Sequence, residues 1–301
     1  MEECNMEEHC TPTFTEAVER VIALHSGGWK PAGGTAKAWR NQLAMHAAPL
    51  ADKRIDKITS GDVLAVLEPI WLTIPQMAKK QRHRISAVMK WAIAHGYRQD
   101  NPAGDPIAAA LPKQRSGKHH RALPAEEVPD VLASVRSSSA WPGTKLAFEL
   151  LAYTACRSGE VRLATWPEIN PEKRIWTIPA ERTKTSAEHR VPLTDASLRV
   201  LAAAKEFSAK SGLIFPSATG RAQNTSNLSK LLLDLNAGMV PHGLRSSFRS
   251  WAASSTNYPW EIAEMALGHN VGSRAERAYL RTDLLEKRAK LMQDWADFLN
   301  H

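Results

Sequence analysis

Apolar residues recur at helical spacing through the first hundred positions, and no alternating strand pattern interrupts them. Thr59 and Ser60 stand before one of these segments and are typical N-cap residues. The pattern therefore predicts an all-helical first half. The predicted helices cover residues 14–24, 36–45, 62–67 and 75–94.

The period changes in the second half of the chain. The segments RIWTI at 174–178 and HRVPL at 189–193 are short, rich in β-branched or aromatic residues and separated by a polar loop, which predicts a hairpin. Residues 212–215 are a candidate third strand. The remaining apolar segments have helical spacing, so we expect a mainly α chain whose second domain is α+β with a small antiparallel sheet. The helical segments are 125–135, 145–155, a short one from Ser158, 196–207, 225–235, 243–254, 260–267 and 283–299.

A domain boundary is indicated between residues 101 and 121, where prolines and glycines are followed by a basic run. We expect a helical domain at 12–112, a basic linker at 113–121 and a second domain at 122–301. Residues 1–11 are acidic and polar, and we expect this tail to be disordered.

The charge distribution narrows the choice of partner. The chain has 301 residues, 43% hydrophobic and 23% charged, as in average globular proteins. Its formal charge is +8, yet residues 1–19 contain six Glu and no Lys or Arg, so the remainder has 39 basic against 25 acidic residues, or +14. A body this basic favours nucleic acid as partner, ahead of an anionic membrane surface.

Other classes are disfavoured by what the sequence contains. No run of about 18 apolar residues is present, which argues against a spanning helix. The opening MEECNMEEHC does not resemble a signal peptide. The three cysteines, Cys4, Cys10 and Cys156, lack C-x-x-C spacing, so we expect neither a disulfide framework nor a zinc site, and a reducing cytoplasm is the simplest location. No phosphate-binding glycine loop occurs, which disfavours nucleotide hydrolysis.

Two basic clusters are candidates for DNA contacts. In the helix predicted at 75–94, a cationic face opposes the apolar stripe. The linker adds a second run. An ordinary solvated surface remains an alternative for both. The candidates are Lys79, Arg82 and Lys90 in the helix and Lys113, Arg115, Lys118 and Arg121 in the linker.

Four segments carry candidate chemistry in a fixed order. Arg157 follows the apolar helix LAFELLAYTA, where an unpaired buried guanidinium would be very costly. Lys184 lies in the loop of the predicted hairpin. His242 and Arg245 are three apart at the start of a helix, so both can face one small anion. The pair Gly268-His269 is followed ten positions later by Tyr279.

This ordered set resembles the tyrosine recombinases, and most closely the integrases of satellite phages and genomic islands. The resemblance covers nearly the whole chain from about Phe14. It implies a helical core-binding domain and a catalytic domain that wrap together round duplex DNA. The matching segments are TSGDVLAVLEPIW, WAIAHGYRQDNPA, RSGEVRLATWPEI, IWTIPAERTKTSAEHRVPL, HGLRSSFRSWA, AEMALGH and AYLRTDLLEKR.

The resemblance implies roles for individual residues. Tyr279 would be the nucleophile that forms a 3'-phosphotyrosyl enzyme, and Arg157 with Arg245 would bind the scissile phosphate. His242 would be the base, and Lys184 the acid that protonates the departing 5'-hydroxyl. The remaining two are His269, which would hydrogen-bond the phosphate, and Glu160, which would orient Arg157.

The resemblance also implies what else the reaction uses. We expect double-stranded attachment sites, a homotetramer on DNA that is a monomer when free, and no metal, cofactor or ATP. An excision factor or a host DNA-bending protein is a further expected partner, and the nucleoid is the expected place of action. The final helix could pack on its own domain or on a neighbouring subunit.

Three points stay open at the level of sequence. Integrases of this group usually carry an N-terminal domain for arm-type sites, and only about a dozen residues precede the core-binding segment here. A non-catalytic DNA-binding protein and, less favoured, a type IB topoisomerase are alternative functions. Tyr258 competes with Tyr279 as nucleophile, but it precedes the Gly-His pair, whereas the nucleophile of the family follows it.

Overall fold

The computed structural model describes residues 11–29, 34–114, 122–208, 212–272 and 283–301. The chain divides into two compact units, residues 1–118 and 119–301, each with its own hydrophobic core. This division falls within the segment 113–121 that the sequence predicts as a linker. In the described parts of the chain, no helix is long and apolar enough to cross a membrane.

The first unit is helical where it is described. Capping boxes open two of its helices: Thr13 and Glu16 hydrogen-bond each other's backbone N–H at the first, and Thr59 and Asp62 do the same at another. Pro75 at the first position starts the longest helix. The helices are α1 (Phe14–Ser26), α2 (Thr35–His46), α3 (Ser60–Trp71), α4 (Pro75–Ala94) and α5 (Asp105–Ala110).

The second unit combines helices with one small sheet. Its strands are β1 (Ile169–Asn170), β2 (Ile175–Ile178) and β3 (His189–Pro192), antiparallel in the order β1-β2-β3. The helices are α6 (Val128–Ser137), α7 (Pro142–Thr154), α8 (Ser158–Arg162), α9 (Asp195–Ser208), α10 (Asn227–Asp234), α11 (Gly243–Ser255), α12 (Trp260–Ala266) and α13 (Leu285–Phe298).

The predicted hairpin is present, but the candidate third strand is wrong. The third strand is Ile169–Asn170, whereas Leu213 makes only an isolated bridge with Thr165. Ile214 and Phe215 are both 0% exposed, so consecutive side chains enter the core. A strand on one face of a core would alternate instead. The apolar content of this segment reflects a buried loop.

The core of the second unit is built around α7, which has apolar side chains on all of its faces. Every residue from 147 to 156 is buried. A helix that is hydrophobic on all sides belongs in the interior. Its C-terminal end therefore brings the residues that follow, Arg157 among them, to the edge of the core.

The final helix α13 packs on the same unit. Trp295 is 0% exposed, and its indole N–H donates to the carbonyl of Ala152 in α7 at 2.8 Å. Its ring lies 5.0 Å from that of Trp251 and 5.5 Å from that of Phe248, centroid to centroid. The described helix thus packs in cis.

A buried arginine fixes the start of α13 to the sheet. Arg288 is 2% exposed. Its guanidinium donates to the carbonyl of Arg190 in β3 at 2.7 Å, and to the carbonyl and carboxylate of Asp283 at 2.7 and 2.9 Å. Asp283 also pairs with the Arg190 guanidinium at 3.3 Å. The final helix and β3 are thereby joined by a buried polar cluster.

We expect Arg288→Met to lower the free energy of unfolding by about 3 kcal/mol, because it removes a buried charged donor from two carbonyls and a carboxylate. Urea denaturation followed by circular dichroism measures this change. Lys287→Met, at the exposed neighbouring position, is the control and should stay within about 0.5 kcal/mol of wild type. An equal effect of the two substitutions would contradict this role of Arg288.

Candidate active site

The end of α7 presents Arg157 through a sharp turn. Ala155 has a φ of 48°, in the left-handed region, and this ends the helix two residues before the arginine. The carboxylate of Glu160, which is 3% exposed, accepts from the backbone N–H of Arg157 at 2.7 Å and from its guanidinium at 3.0 Å. Glu160 therefore contacts both the backbone and the side chain of Arg157.

Arg245 joins three segments of the second unit. It lies in the first turn of α11, and 5% of its surface is exposed. Its guanidinium donates to the carbonyl of Ala155 at 2.6 Å, to that of Leu267 at 2.7 Å and to Nε2 of His269 at 2.9 Å. These contacts bring the ends of α7 and α12 to one place.

Arg157 lies close enough to Arg245 to influence the pKa of Arg245. Burial, and then the positive charge of Arg157, lowers the pKa of the Arg245 guanidinium from its usual value. The second guanidinium, Arg157, also reaches the carbonyl of Gly268, at 3.4 Å. Two neighbouring cations, each hydrogen-bonded to backbone carbonyls, favour the binding of an anion.

Gly268 has a left-handed backbone conformation. Its φ is +63°, which L side chains rarely adopt, so a side chain here would strain the backbone. The carbonyl of Gly268 accepts from Arg157, and the next residue contacts Arg245. This explains why a glycine precedes the histidine of the Gly-His pair.

His269 lies between a guanidinium and a carboxylate. Its Nε2 faces Arg245, and its Nδ1 lies 2.7 Å from a carboxylate oxygen of Glu264. The other oxygen of Glu264 pairs with Arg249 at 2.5 Å. Neither Glu264 nor Arg249 was singled out from the sequence, because only the fold shows that α11, α12 and the following loop converge.

Lys184 lies in the exposed turn between β2 and β3. The turn is closed by Thr183, whose hydroxyl donates to the carbonyl of Ala187 at 2.7 Å. Three other residues between the two strands, Thr185, Ala187 and Glu188, line a cleft of about 440 Å³ together with Gly268 and His269. The hairpin turn therefore borders the same cleft as His269.

Arg182 links this hairpin to the arginine site, and sequence reasoning missed it. Its guanidinium donates to the carbonyl of Glu160 and pairs with the carboxylate of Glu168. Glu168 also accepts from the Trp176 indole at 2.8 Å. One arginine thus connects the Lys184 loop to the helix that orients Arg157.

His242 is exposed and is the N-cap of α11, and its carbonyl accepts the N–H of Arg245 at 3.3 Å.

Tyr279 lies outside the described residues. The hydroxyl of its competitor Tyr258 donates to Asp294 at 2.8 Å, and burial followed by this contact raises the pKa of Tyr258, which opposes use as a nucleophile.

The thiol next to Arg157 is not reactive. Cys156 is 2% exposed, and burial raises the pKa of its thiol to about 12. The thiolate that could attack a substrate is therefore scarce at neutral pH. Within the described segments, no three His, Cys, Asp or Glu side chains are grouped so as to hold a metal ion.

The candidate DNA-binding residues of the first unit differ in their surroundings. Lys79, Lys90 and Lys113 are exposed. Arg82 is half-buried, and one of its amino groups donates to the carbonyls of Ala103 and Gly104 at 3.4 and 3.0 Å. Arg82 therefore also secures a loop. The other three candidates, Arg115, Lys118 and Arg121, lie outside the described residues.

His189 is a partly buried histidine beside the arginines. It begins β3, and its Nε2 is buried without a hydrogen-bond partner. Burial first, and then the charge of Arg288, lowers the pKa of His189 to about 4, with smaller contributions from Arg157 and Arg245. A hydrogen bond to the backbone of Ala266 acts in the opposite direction. The ring is therefore neutral at physiological pH.

This histidine should make folding stability depend on pH. Its folded pKa of about 4 lies below the unfolded value of about 6.5, so the unfolded chain binds more protons between these values. Above pH 6.5 the titration of His189 does not reduce the free energy of unfolding, and between pH 6.5 and 4 it reduces this free energy increasingly as the pH falls. We expect His189→Gln and His189→Phe both to reduce this decrease, measured by urea denaturation from pH 7.5 to 4.5. Profiles parallel to wild type would contradict the assignment.

Comparisons with known proteins agree along both units. A model described as the phage integrase central domain matches residues 14–109, and one described as the phage integrase family matches residues 121–285. The prophage integrase IntZ of Escherichia coli (strain K12) is 31% identical over 95% of this chain and 71% of that protein. The integrase of Enterobacteria phage P4 is 30% identical over 74% of this chain and 55% of that protein.

Solved structures show the same fold. A lambda integrase dimer bound to a COC' core site matches with a TM-score of 0.66 and 22% identity, over 86% of this chain and 96% of that one. A lambda integrase tetramer bound to a Holliday junction matches with a TM-score of 0.68 and 19% identity, over 91% and 79%. The predicted family and the mainly helical fold with a small sheet are confirmed. The chain belongs to the phage integrase family and is a site-specific tyrosine recombinase.

Proposed function

We propose that this chain cleaves and rejoins duplex DNA at an attachment site through a 3'-phosphotyrosyl intermediate on Tyr279, and thereby integrates or excises a mobile element. The observation that carries the proposal is the pair Arg157 and Arg245. Both guanidiniums are held on the carbonyls that flank the end of α7 and the Gly-His pair. They form a preorganised site for one phosphate.

The arginine pair suits phosphoryl transfer. Negative charge spreads over the non-bridging oxygens in the transition state, and fixed cations stabilise it without reorganising during the reaction. Glu160 pairs with one nitrogen of the Arg157 guanidinium at 3.0 Å, which leaves other N–H groups of that guanidinium for the phosphate. His269, in contact with Arg245, is placed to add a further hydrogen bond.

Two protons move in the proposed cleavage step. The phenol of Tyr279, with an ordinary pKa of about 10, gives its proton to His242 as its oxygen bonds to phosphorus. The bond from phosphorus to the 5'-oxygen breaks, and Lys184 protonates that leaving group. An exposed hairpin turn beside the cleft suits this acid, since it can approach DNA from outside.

We further propose that the reaction uses neither ATP nor a metal ion. The phosphodiester is exchanged for a phosphotyrosyl ester, so the 5'-hydroxyl of a second strand can reverse the step without an energy source. The guanidiniums supply the charge stabilisation that a metal would otherwise provide.

The wider assembly follows from strand exchange between two duplexes. We propose a homotetramer on DNA, formed from monomers, that acts on the nucleoid with help from an excision factor or a host DNA-bending protein. The exposed lysines Lys79, Lys90 and Lys113 would contact phosphates. Among similar proteins, lambda integrase has been solved as a tetramer on a Holliday junction.

Tyr279→Phe should abolish the covalent adduct while leaving DNA affinity within about twofold of wild type, because the phenol oxygen forms the bond but contributes little to binding. The assay is a nicked suicide duplex drawn from the DNA that flanks the gene, incubated in EDTA without ATP and resolved on a denaturing gel. Tyr258→Phe is the matched control and should form adduct at the wild-type rate.

An adduct that survives in Tyr279→Phe but is lost in Tyr258→Phe would transfer the nucleophile to the other tyrosine. Salt-sensitive binding with no adduct from wild type on any cognate duplex would instead identify a non-catalytic DNA-binding protein. Relaxation of supercoiled DNA that lacks paired sites would indicate a topoisomerase.

We expect Arg245→Lys to slow adduct formation by about 100- to 1,000-fold, since one ammonium cannot reproduce the forked contacts to two carbonyls and the phosphate. Single-turnover kinetics on the same duplex measures the change. Arg40→Lys, in a half-exposed pair with Glu19, is the control and should have little effect. A change of less than tenfold in Arg245→Lys would contradict the assigned role.

A further inference from the structure

Four charged or titratable side chains of the second unit form a continuous chain of contacts that ends at Arg245. It runs from Arg249 to Glu264 at 2.5 Å, from Glu264 to His269 at 2.7 Å and from His269 to Arg245 at 2.9 Å. Arg245 and Arg249 lie one turn apart on α11, Glu264 is on α12, and His269 is in the following loop. The chain leads from the protein surface to the buried guanidinium.

The contacts assign the tautomer of His269. A guanidinium has only donors, so Nε2 of the histidine must accept from Arg245. A neutral imidazole carries one N–H, which is then on Nδ1 and donates to Glu264. If the proton were on Nε2, it would face an N–H of Arg245, and the contact would be repulsive.

The carboxylate acts on the ring rather than on the backbone. Glu264 is 8% exposed. Independently of its side chain, its carbonyl accepts the backbone N–H of His269 at 3.0 Å. The turn is therefore closed by the main chain, and substitution of the Glu264 side chain removes the acceptor at Nδ1 without removing that closure.

Arg249 completes the arrangement from the solvent side. Its side chain is 64% exposed, whereas the Glu264 side chain is 11% exposed. A partly buried carboxylate needs its remaining oxygen satisfied. Arg249 provides this donor, so one oxygen of Glu264 is held by the arginine and the other is directed at the histidine.

We propose that Glu264 is a positioning residue for this recombinase: it fixes His269 in the Nδ1–H form, with Nε2 facing the guanidinium of Arg245. The inference rests on the proposed function, in which Arg245 and His269 bind the scissile phosphate. A histidine whose ring is already oriented loses no rotational freedom when the phosphate binds. Glu264 plays for His269 the part that Glu160 plays for Arg157.

The direct test is the protonation pattern of the ring. The chain has eleven histidines, so the full protein is labelled with ¹⁵N-histidine and the His269 signals are identified by their loss in His269→Gln. Two-bond ¹H–¹⁵N spectra should show the Nδ1–H form in wild type. In Glu264→Ala we expect the Nε2–H form or a mixture, and in Glu264→Gln a smaller change, because the amide oxygen still accepts.

Kinetics on the suicide duplex tests the consequence. Glu264→Ala should slow adduct formation by about ten- to a hundredfold, with DNA affinity within about twofold of wild type. Glu264→Gln should recover part of the rate, and Arg249→Gln should lose less than Glu264→Ala. Glu261→Gln, on the same helix, is the matched control and should match wild type in rate and in ring signals.

Two results would overturn the proposal. One is an unchanged Nδ1–H signal in Glu264→Ala. The other is a wild-type adduct rate in Glu264→Ala although the ring signals have changed. If the wild-type protein forms no adduct, the proposed function fails, while the ring signals still decide whether Glu264 positions His269.

Discussion

The second unit depends on how one buried guanidinium is satisfied. Arg245 is 5% exposed, and burying an arginine is costly unless each donor finds an acceptor. The acceptors are the carbonyls of Ala155 and Leu267 and the ring of His269, which come from segments far apart in the chain. These hydrogen bonds therefore join the segments that carry the candidate active-site residues.

A second arginine adds positive charge beside the first. Arg157 lies near Arg245, and after burial its positive charge is the next cause of the lowered pKa of Arg245. Each of two carboxylates contacts one residue of this group: Glu160 pairs with Arg157, and Glu264 contacts His269. In the proposed function, a phosphate bound to both guanidiniums would relieve this repulsion.

The elements around the site are held by polar contacts at their ends. Arg182 joins the β2–β3 hairpin to Glu160, and Arg288 joins the start of α13 to β3. The tryptophan cluster on α13 and α11 then packs the final helix onto the core. Apolar packing supplies stability without fixing side-chain geometry, whereas these charged hydrogen bonds have directional preferences and set register.

Local sequence determined most of the helices, the hairpin and the family, although it did not indicate α5. Capping residues such as Thr59 act within a few positions, and the ordered motifs from Arg157 to the Gly-His pair are visible without coordinates. Tertiary structure decided the rest. Ile214 and Phe215 look like a strand until the core is seen to take both side chains, and Glu264 looks like an ordinary helix residue until α11 places Arg249 and Arg245 on either side of the glutamate–histidine pair. Periodicity records only which face is buried, while hydrogen-bond partners distant in sequence are chosen by the packing of elements against one another.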